Sequence, residues 1–361
     1  MTKPAEIPST MRALVAYGKH DYRFEPAYPV PGCGDDEMLV KSEGSGICAG
    51  DLKNYQGASM YWGGDGMVGI CRPPFIPGHE FVGRIVKTGK NVTGFQPGDR
   101  VVAEQIVPCG HCRFCRTGKY WMCKNRGGFG FYKELNGGMG EYVRFLPETR
   151  VYKIPEELPF EKALLIEPYA CAKHAVDRAD IHCEDVVVIS GAGTLGLAMI
   201  TYARMKNPAK LIVLDINPQR LEKAAAFGAD LVMNPAETDA VQAIRGLTDG
   251  YGCDIYIEAT GHSASVVTGL NAVRKLGVFV EFGVFAENTT VNWSLIGDRK
   301  ELDIRGAHLS PYCYPFVIEN IVNGRLKTDG VVTSVFPIEQ WEKAFEYAGG
   351  QYGDYKVAIR F

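Results

Sequence analysis

A glycine-rich segment between an apolar strand and a helical run constrains the fold of this chain more than any other feature. In VVVISGAGTLGLAMI, three glycines stand in the G-x-G-x-x-G spacing. Gly191 permits a tight turn, Gly193 lets backbone amides approach a pyrophosphate, and Gly196 lets the helix pack closely on the strand. The N-terminus of the helix then faces the anion. The pattern predicts a dinucleotide-binding site at the start of a β-α-β unit.

A carboxylate at the end of the next apolar strand favours NAD over NADP. Asp215 closes the strand KLIVLD, 19 residues after Gly196, and Ile216 follows it. A carboxylate at this distance accepts hydrogen bonds from the adenosine ribose hydroxyls and repels a 2′-phosphate, and no basic residue stands next to it. The alternative is that Asp215 only caps the strand. Arg220 either lies along the adenosine or is a solvated helix residue.

From about residue 185 to 309, short apolar strands alternate with amphipathic helices. Strand-like runs include VVVIS, DIYIEA and VFVEFG, and helical runs include TLGLAMITYARM and SASVVTGLNAVRKL. This alternation predicts a parallel sheet covered by helices on both faces, the doubly wound Rossmann arrangement. The residues that we assign to NAD binding are Gly191, Gly193, Thr194, Leu195, Gly196, Asp215, Arg220, Thr260 and Gly283.

The remainder of the chain has a different rhythm. Residues 11–150 contain short β-type runs such as MRALVAY, MLVKSEGSGI and FVGRIVKTG, which Gly and Pro interrupt, and they predict a mostly antiparallel, barrel-like domain. The pattern is mixed again after the doubly wound region and ends in the strand-like KVAIRF. We therefore predict an α/β chain in which a Rossmann domain, residues 171–309, is inserted into a first domain, residues 1–170, that residues 310–361 complete.

Charge and composition argue against several classes of partner. A formal net charge of −3 provides no basic field for nucleic acid or an anionic membrane. No stretch approaches the roughly 18 apolar residues of a membrane helix. The start, MTKPAEIPSTMRAL, lacks the apolar core of a leader peptide, so we expect a cytoplasmic protein.

Eleven cysteines in such a chain indicate metal ligation and burial rather than disulfides, because the number is odd and the expected compartment is reducing. Six of them lie outside the two candidate zinc sites described below and are predicted to be small buried residues. They are Cys33, Cys71, Cys171, Cys183, Cys253 and Cys313.

Four cysteines are grouped in the segment PCGHCRFCRTGKYWMC. The spacings between Cys109, Cys112, Cys115 and Cys123 let one tight loop bring four thiolates around one ion. Zn²⁺ favours such a tetrahedral set, and a closed shell of four thiolates leaves no position for a substrate. Disulfides or an iron–sulfur cluster are the alternatives, but the compartment and the spacing disfavour them. We predict a structural zinc, with His111 as a bystander.

Three separated stretches offer ligands for a second metal: GICAGDLK, PGHEFVG and EPYACAKHA. They contain Cys48, His79 with Glu80, and Glu167. A single buried cysteine or histidine most often has only a packing role. Together, however, these residues supply one sulfur, one nitrogen and one oxygen ligand and leave an open position, as a catalytic zinc requires.

The order of these motifs resembles the zinc-dependent medium-chain dehydrogenases over essentially the whole chain. The resemblance implies a GroES-like catalytic domain joined to a Rossmann domain. It implies that Cys48, His79 and Glu167 bind the catalytic zinc, and that Glu80 lies at or beside the metal. Asp51 would then orient His79, the usual support for a ligating imidazole.

A glutamate in E-P-x-A resembles the polyol dehydrogenase branch of that family. The stretches EQIVPC, VEFGVF and GAHLSPYCYP further resemble the erythritol/threitol dehydrogenases. The resemblance implies oxidation of a small sugar alcohol, a tetritol or a pentitol, to the ketose by hydride transfer to NAD. It also implies a homo-oligomer, either a dimer or a tetramer. A threonine-type dehydrogenase and a non-enzymatic dinucleotide-binding relative are the alternatives.

The chain departs from the family pattern beside Cys48. Where the family commonly has Ser or Thr to relay the alcohol proton, this chain has Gly50, and where it often has His, this chain has Lys53. The proton would therefore leave through water, Lys53, Glu80 or a cofactor ribose hydroxyl. The interval between Cys48 and His79 is also long. It contains Tyr61 and Trp62, which are candidate substrate contacts or ordinary packing residues.

Overall fold

The computed structural model describes residues 6–64, 66–125 and 127–361. The first five residues of the segment that we used to judge a leader peptide lie outside this part. The chain forms two compact units. Unit 1 contains the chain up to Glu167 together with Tyr314–Val322 and Thr328–Phe361, and unit 2 contains Pro168–Cys313 and Asn323–Lys327. The N-terminal boundary lies three residues before the predicted one, and the C-terminal boundary lies four residues after it.

A mostly antiparallel sheet dominates unit 1, which alternating short strands with intervening glycines can form. Seven of its strands form one sheet in the order β14-β15-β3-β4-β5-β7, with β6 paired to β3, and β1 pairs with β2 in a separate hairpin. These strands are β1 Thr10–Gly18, β2 Asp21–Pro29, β3 Met38–Gly46, β4 Glu80–Thr88, β5 Arg100–Ala103, β6 Tyr142–Phe145, β7 Val151–Lys153, β14 Val332–Pro337 and β15 Lys356–Arg360.

The centre of this sheet brings distant parts of the sequence together. Strand β3 pairs antiparallel with β4, so that Gly46 lies opposite Glu80, and it pairs on its other side with β15, so that Gly46 also lies opposite Ala358. All three strands are largely buried. The end of β3, the start of β4 and the start of β15 therefore lie together.

Short helices cover unit 1 and connect its strands. A short helix follows β3 directly, and the long interval before β4 contains another. The helices are α1 Ala49–Tyr55, α2 Ser59–Trp62, α3 Arg113–Arg116, α4 Phe160–Ala163, α10 Tyr314–Val322 and α11 Trp341–Ala348, and 3₁₀ turns occur at Tyr120–Met122 and Ile338–Gln340. The helix α5, Ile166–Ala179, lies in unit 2 except for its first two residues.

Unit 2 contains a six-stranded, fully parallel sheet in the order β10-β9-β8-β11-β12-β13. The chain order reverses at β8, which is the switch point where doubly wound sheets bind ligands. Its elements are β8 Val186–Ser190, α6 Thr194–Lys206, β9 Lys210–Leu214, α7 Pro218–Phe227, β10 Leu231–Met233, α8 Ala240–Gly246, β11 Cys253–Glu258, α9 Ser263–Ala272, β12 Val273–Glu281 and β13 Asp303–Gly306, with a 3₁₀ turn at Trp293–Leu295.

One predicted helix is shorter in the structure than the sequence indicates. The run SASVVTGLNAVRKL predicts a helix to Leu276, but α9 ends at Ala272 and Val273 begins β12. Val273 pairs there with Cys253 of β11. Sheet pairing thus overrides a helical pattern that is ambiguous at its end. In the part of the chain that the structure describes, no helix combines the length and the apolar character needed to cross a bilayer.

Candidate metal centre and cofactor loop

Three of the predicted metal ligands converge within unit 1. One ligand atom each of Cys48, His79 and Glu80 lies within 4.8 Å of the other two. Cys48 lies between the end of β3 and the start of α1, and His79 and Glu80 stand at the start of β4. The pairing of Gly46 with Glu80 places these two chain segments side by side. Sulfur, nitrogen and carboxylate oxygen at this separation form a donor set that suits Zn²⁺.

Asp51 contacts two members of this set. One of its oxygens accepts a hydrogen bond from the backbone N–H of Cys48 at 2.9 Å, and the other, Oδ1, lies 3.7 Å from Nδ1 of His79. Asp51 Oδ1 and His79 Nδ1 are both buried and, among the described residues, have no hydrogen-bond partner. If His79 binds a metal through its other ring nitrogen, this pair is placed to orient the imidazole.

The electrostatic environment of the set favours a cation. Burial alone would lower the pKa of the His79 imidazole. The charge of Asp51 and the hydrogen bond and charge of Cys48 outweigh burial, so that the pKa is raised well above its usual value, and Glu167 adds to the effect. The same negative field that favours a proton on His79 favours a divalent cation at this position.

Glu167 does not belong to the compact set of three ligand atoms. It is the second residue of α5 and is 4% exposed, and its charge acts on both His79 and Lys356. The structure therefore brings Glu80 into the group together with Cys48 and His79, and it places Glu167 in their electrostatic neighbourhood. Direct ligation by Glu167 stays a prediction.

The four grouped cysteines also come together. The Sγ atoms of Cys109, Cys112, Cys115 and Cys123 all lie within 4.8 Å of one another, around α3 and the following 3₁₀ turn. The Sγ atoms of Cys112 and Cys115 are 3.5 Å apart, much farther than the roughly 2.05 Å of a disulfide, and all eleven cysteines are free thiols. Four sulfur atoms around one point are the donor set of a structural zinc.

Backbone amides prepare this cluster for an ion. Burial opposes ionisation of Cys109, but backbone N–H groups of His111 and Cys112 lower its pKa to about 6. Both ring nitrogens of His111 have partners other than the thiols: Nδ1 lies 2.7 Å from the carbonyl oxygen of Cys109, and Nε2 contacts Asn125. Outside the two groups, the prediction of burial is wrong for two cysteines: Cys183 is exposed and Cys33 is half-buried, since each lies in a connecting segment.

The glycine loop of unit 2 has the steric character of a phosphate-binding turn. Gly191 adopts a φ of +105°, and a Cβ there would approach Ala259 O and Thr260 Cγ2 to 3.1 Å. A Cβ on Gly196 would meet the carbonyl oxygen of Gly191 at 1.9 Å. Gly193 is open: the nearest described atom to its Cβ position is Nη1 of Arg220, at 4.0 Å. Helix α6 begins at the next residue, Thr194, so its N-terminus faces this space.

Asp215 lies beside the glycine loop and is anchored by it. Its Oδ2 accepts a hydrogen bond from the N–H of Ala192 at 2.7 Å, and its Oδ1 accepts one from Asn217 at 2.9 Å. Each oxygen keeps lone-pair capacity for a ribose hydroxyl. The structure brings Asp215, Arg220 and Thr260 together with the glycines, and Leu195 lies in the first turn of α6.

Comparison with known proteins decides the family. Two family models match, the alcohol dehydrogenase GroES-like domain over residues 34–156 and the zinc-binding dehydrogenase over residues 194–323. An erythritol/L-threitol dehydrogenase from Mycolicibacterium smegmatis is 44% identical over 98% of each chain. The chain belongs to the zinc-dependent medium-chain dehydrogenases.

Two further comparisons agree with this assignment. A sorbitol dehydrogenase from Bacillus subtilis is 33% identical over 95% of this dehydrogenase and 94% of its own chain. An alcohol dehydrogenase from E. coli, solved with NADH, has a TM-score of 0.86 at 26% identity and covers 98% of this chain and 100% of that one. The predicted fold class, a GroES-like domain with a Rossmann domain, is confirmed, and the chain belongs to a family of zinc-binding dehydrogenases.

Sequence reasoning missed a buried lysine in the metal centre of this dehydrogenase. Lys356, the first residue of β15, is 5% exposed, and its Nζ lies 2.7 and 2.6 Å from the two carboxylate oxygens of Glu80. It also donates to the carbonyl oxygen of Ile47 at 3.2 Å. Burial would lower the pKa of Lys356, but the charges of Glu80 and Cys48 outweigh this and raise it. A lysine at the start of the apolar run VAI was the available signal.

A second missed residue organises the cofactor-binding unit. Glu258, at the end of β11, is fully buried, and its carboxylate accepts hydrogen bonds from the N–H of Thr260 at 2.8 Å and from the Thr260 hydroxyl. A Cβ on Gly283 would approach the same carboxylate to 2.2 Å. Glu258 thus fixes two of the predicted cofactor residues. An acidic residue that ends an apolar strand was the signal.

The structure separates the two aromatic residues of the long interval before His79. The Tyr61 ring stacks on Phe131 with centroids 5.6 Å apart, and Phe131 in turn lies 5.9 Å from the imidazole of His79. Trp62 donates its Nε1–H to the carbonyl oxygen of Asn54 at 2.8 Å, which directs it toward α1. Tyr61 therefore borders the metal centre, whereas Trp62 supports a neighbouring helix.

Proposed function

We propose that this dehydrogenase oxidises a small sugar alcohol, a tetritol such as erythritol or threitol or else a pentitol, to the ketose with NAD. The donor set of the half-buried Cys48 and the buried His79 and Glu80 carries the proposal. A sulfur, a nitrogen and an oxygen ligand leave one position of a tetrahedral ion open for an alcohol oxygen. The tetritol preference rests on the 44% identity to the erythritol/L-threitol dehydrogenase.

The residues present fit the metal that the family uses. Cys48, His79 and Glu80 would hold the catalytic ion, and the orphaned pair of Asp51 and His79 would fix the imidazole. When bound, zinc polarises the substrate oxygen and NAD accepts the hydride. Lys356 holds the Glu80 carboxylate, which restricts its movement.

Buried carboxylates supply a means to recognise more than one hydroxyl. Glu167 is 4% exposed and Glu80 is 2% exposed, and both lie near His79. A carboxylate in such a place accepts hydrogen bonds from a hydroxyl beside the reacting one. We assign this role to Glu167, because Glu80 is engaged by Lys356.

The cofactor and the second ion have their own donor sets. Backbone amides of the glycine loop would bind the pyrophosphate of NAD, and Asp215 would bind its adenosine ribose. The four thiolates of the cysteine cluster would bind a zinc ion that has no open position. We further propose that the enzyme is a cytoplasmic homo-oligomer, which a size measurement by light scattering would test.

A substrate panel tests the proposal directly. The zinc-loaded protein is assayed for NADH formation with erythritol, both enantiomers of threitol, xylitol, ribitol, sorbitol and threonine. We expect a tetritol to give the highest kcat/KM, a lower value for pentitols, and a ketose product by chromatography. Turnover of threonine alone would refute the sugar-alcohol proposal. A chelator that leaves NAD-linked turnover unchanged would refute the metal centre.

A further inference from the structure

The Tyr61 hydroxyl lies at the place where residue 50 lacks a side chain. A Cβ built on Gly50 would lie 2.8 Å from the Tyr61 Oη and 3.7 Å from the Cys48 Sγ. Apart from the neighbours of Gly50 in the chain, Tyr61 and Cys48 supply the three atoms nearest to that point. The tyrosine oxygen therefore occupies the space next to a predicted metal ligand that a longer residue at position 50 would fill.

The ring that carries this hydroxyl is held firmly. Tyr61 is 6% exposed and stacks on Phe131 with an interplanar angle of 6°. Phe131 stacks in turn on the imidazole of His79 at 25°. This series of aromatic contacts ties the position of the phenol to that of a predicted zinc ligand.

The hydroxyl also lacks a partner of its own. No hydrogen bond joins the Tyr61 hydroxyl to another residue that the structure describes, and its oxygen is not among the fully buried polar atoms. A tyrosine whose ring is buried ordinarily directs its hydroxyl to such a partner or to solvent. Burial raises the pKa of Tyr61, so the phenol is neutral. Its donor and its acceptor sites are both available to a molecule that binds there.

We propose that the Tyr61 hydroxyl hydrogen-bonds the reacting hydroxyl of the substrate and takes over its proton, an inference that rests on the proposed function. In the oxidation, the C–H bond breaks and the hydrogen passes with its electron pair to NAD. The O–H bond breaks as the carbonyl forms. The proton moves to the Tyr61 oxygen while the original phenol proton passes to water, so that Tyr61 is neutral before and after.

The variant Tyr61→Phe removes the oxygen and keeps the ring that stacks on Phe131. We expect kcat/KM for the best sugar alcohol to fall about 100-fold, within the range for a lost proton-transfer group. Zinc content and Tm should not change. We also expect erythritol to bind about fivefold more weakly to the NADH-loaded enzyme by calorimetry, because one hydrogen bond to the substrate is lost. Tyr132→Phe, at a half-buried tyrosine outside the site, should match the wild type.

A second substitution distinguishes chemistry from packing. In the Tyr61→Phe background, Gly50→Ser places a new hydroxyl in the space that the phenol oxygen leaves. We expect the double variant to have a kcat/KM at least about tenfold higher than that of Tyr61→Phe. In the wild type, Gly50→Ser should lower activity, because its Cβ would lie 2.8 Å from the Tyr61 oxygen. A packing role predicts no such rescue.

The outcomes separate this inference from the proposed function. If the wild type oxidises no sugar alcohol, the proposed function is wrong. If the wild type is active and Tyr61→Phe retains its kcat/KM and its affinity for erythritol, the function stands and the role of Tyr61 is refuted. If Tyr61→Phe loses activity together with zinc or with several degrees of Tm, and Gly50→Ser restores nothing, Tyr61 has only a structural role and the inference is likewise refuted.

Discussion

The two metal centres of this dehydrogenase are built in opposite ways. The cysteine cluster takes all of its ligands from one short segment, Cys109 to Cys123, and its four donors are alike. The centre around Cys48 takes its groups from the end of β3, the start of β4 and the start of β15, and its donors differ. The spacing of cysteines in one loop is enough to form a closed shell of four identical ligands. A shell with different ligand types and an open position depends on the folded sheet.

The groups that balance charge also differ between the two centres: they are backbone amides at the cysteine cluster and charged side chains at the centre around Cys48. Backbone amides assist the thiolates of the cluster, and the pKa of Cys109 falls to about 6 although burial opposes this. At the other centre, the buried side chains of Asp51, Glu167 and Lys356 surround the three ligands. Burial of these charged side chains costs free energy, as burial of the thiolates does in the cluster. Because the centre around Cys48 has the mixed and open set of donors, it should govern catalysis, and the cysteine cluster should govern stability.

Removal of the sulfur ligand should have the largest effect. In Cys48→Ala, we expect bound zinc to fall from two ions to one per chain and NAD-linked turnover to drop at least about 1,000-fold, because the substrate oxygen loses its polarising ion. The far-ultraviolet circular dichroism should not change. Elemental analysis and steady-state kinetics measure both effects. Cys33→Ala, at a half-buried cysteine outside both centres, should retain both ions and full activity. Two ions in the Cys48 variant would contradict the assignment.

Replacement of the buried Lys356 should show how strongly the centre around Cys48 depends on charged side chains. Lys356→Met leaves the Glu80 carboxylate, which is 2% exposed, without its cation. We expect the metal-free protein to lose about 3–5 kcal/mol of unfolding free energy, the usual cost of an unpaired buried charge. Urea unfolding of chelator-treated samples measures this loss. The double variant with Glu80→Gln should recover most of the stability, and an equal loss in both variants would show that packing rather than charge is responsible.

Disruption of the cysteine cluster should affect stability more than chemistry. In Cys112→Ser, we expect zinc to fall to one ion per chain and Tm to fall by about 10 °C, equivalent to about 3 kcal/mol for a unit of this size. The kcat of the remaining folded enzyme should stay within about threefold of the wild type, because no thiolate of this cluster belongs to the other centre. Scanning fluorimetry and zinc analysis provide the measurement. Loss of kcat without loss of Tm would reverse the roles of the two centres.

The sequence was most informative where the chemistry is local. The spacing of the four cysteines and of the three glycines indicated both arrangements correctly, because each forms within a single loop. Cys48, His79 and Glu167 were proposed as ligands from their donor types and from a family resemblance, with Glu80 at or beside the metal. The structure groups Glu80 with Cys48 and His79. The distance between Glu80 and Lys356, 276 residues along the chain, shows why the lysine was missed. Only the pairing of β3 with both β4 and β15 brings them into contact.

Two other failures have a similar physical origin. The run that ends at Leu276 keeps a helical pattern, but β11 is available as a partner and Val273 joins it. The departure at Gly50 suggested a missing group, and the sequence did not reveal that Tyr61, eleven residues later, fills the space beside it. In both cases, the decisive contact involves a neighbour that only the folded chain supplies.

The smallest expected effect tests how far the open centre depends on its supporting residue. Asp51→Asn keeps a similar shape and one acceptor for the N–H of Cys48, but it removes the charge that faces Nδ1 of His79. We expect zinc at this centre to bind about 10–100-fold more weakly, as when a carboxylate partner of a ligating histidine is lost. Competition with a chromophoric chelator measures the affinity, and the cysteine cluster of the same molecule is the internal control.

Asp21→Asn, at an exposed ion pair with Arg23, should change neither centre. Equal weakening at both ions would mean that Asp51 supports the fold of unit 1. Weakening at one ion alone would show that the mixed centre, unlike the thiolate cluster, depends on a charge outside its own ligands.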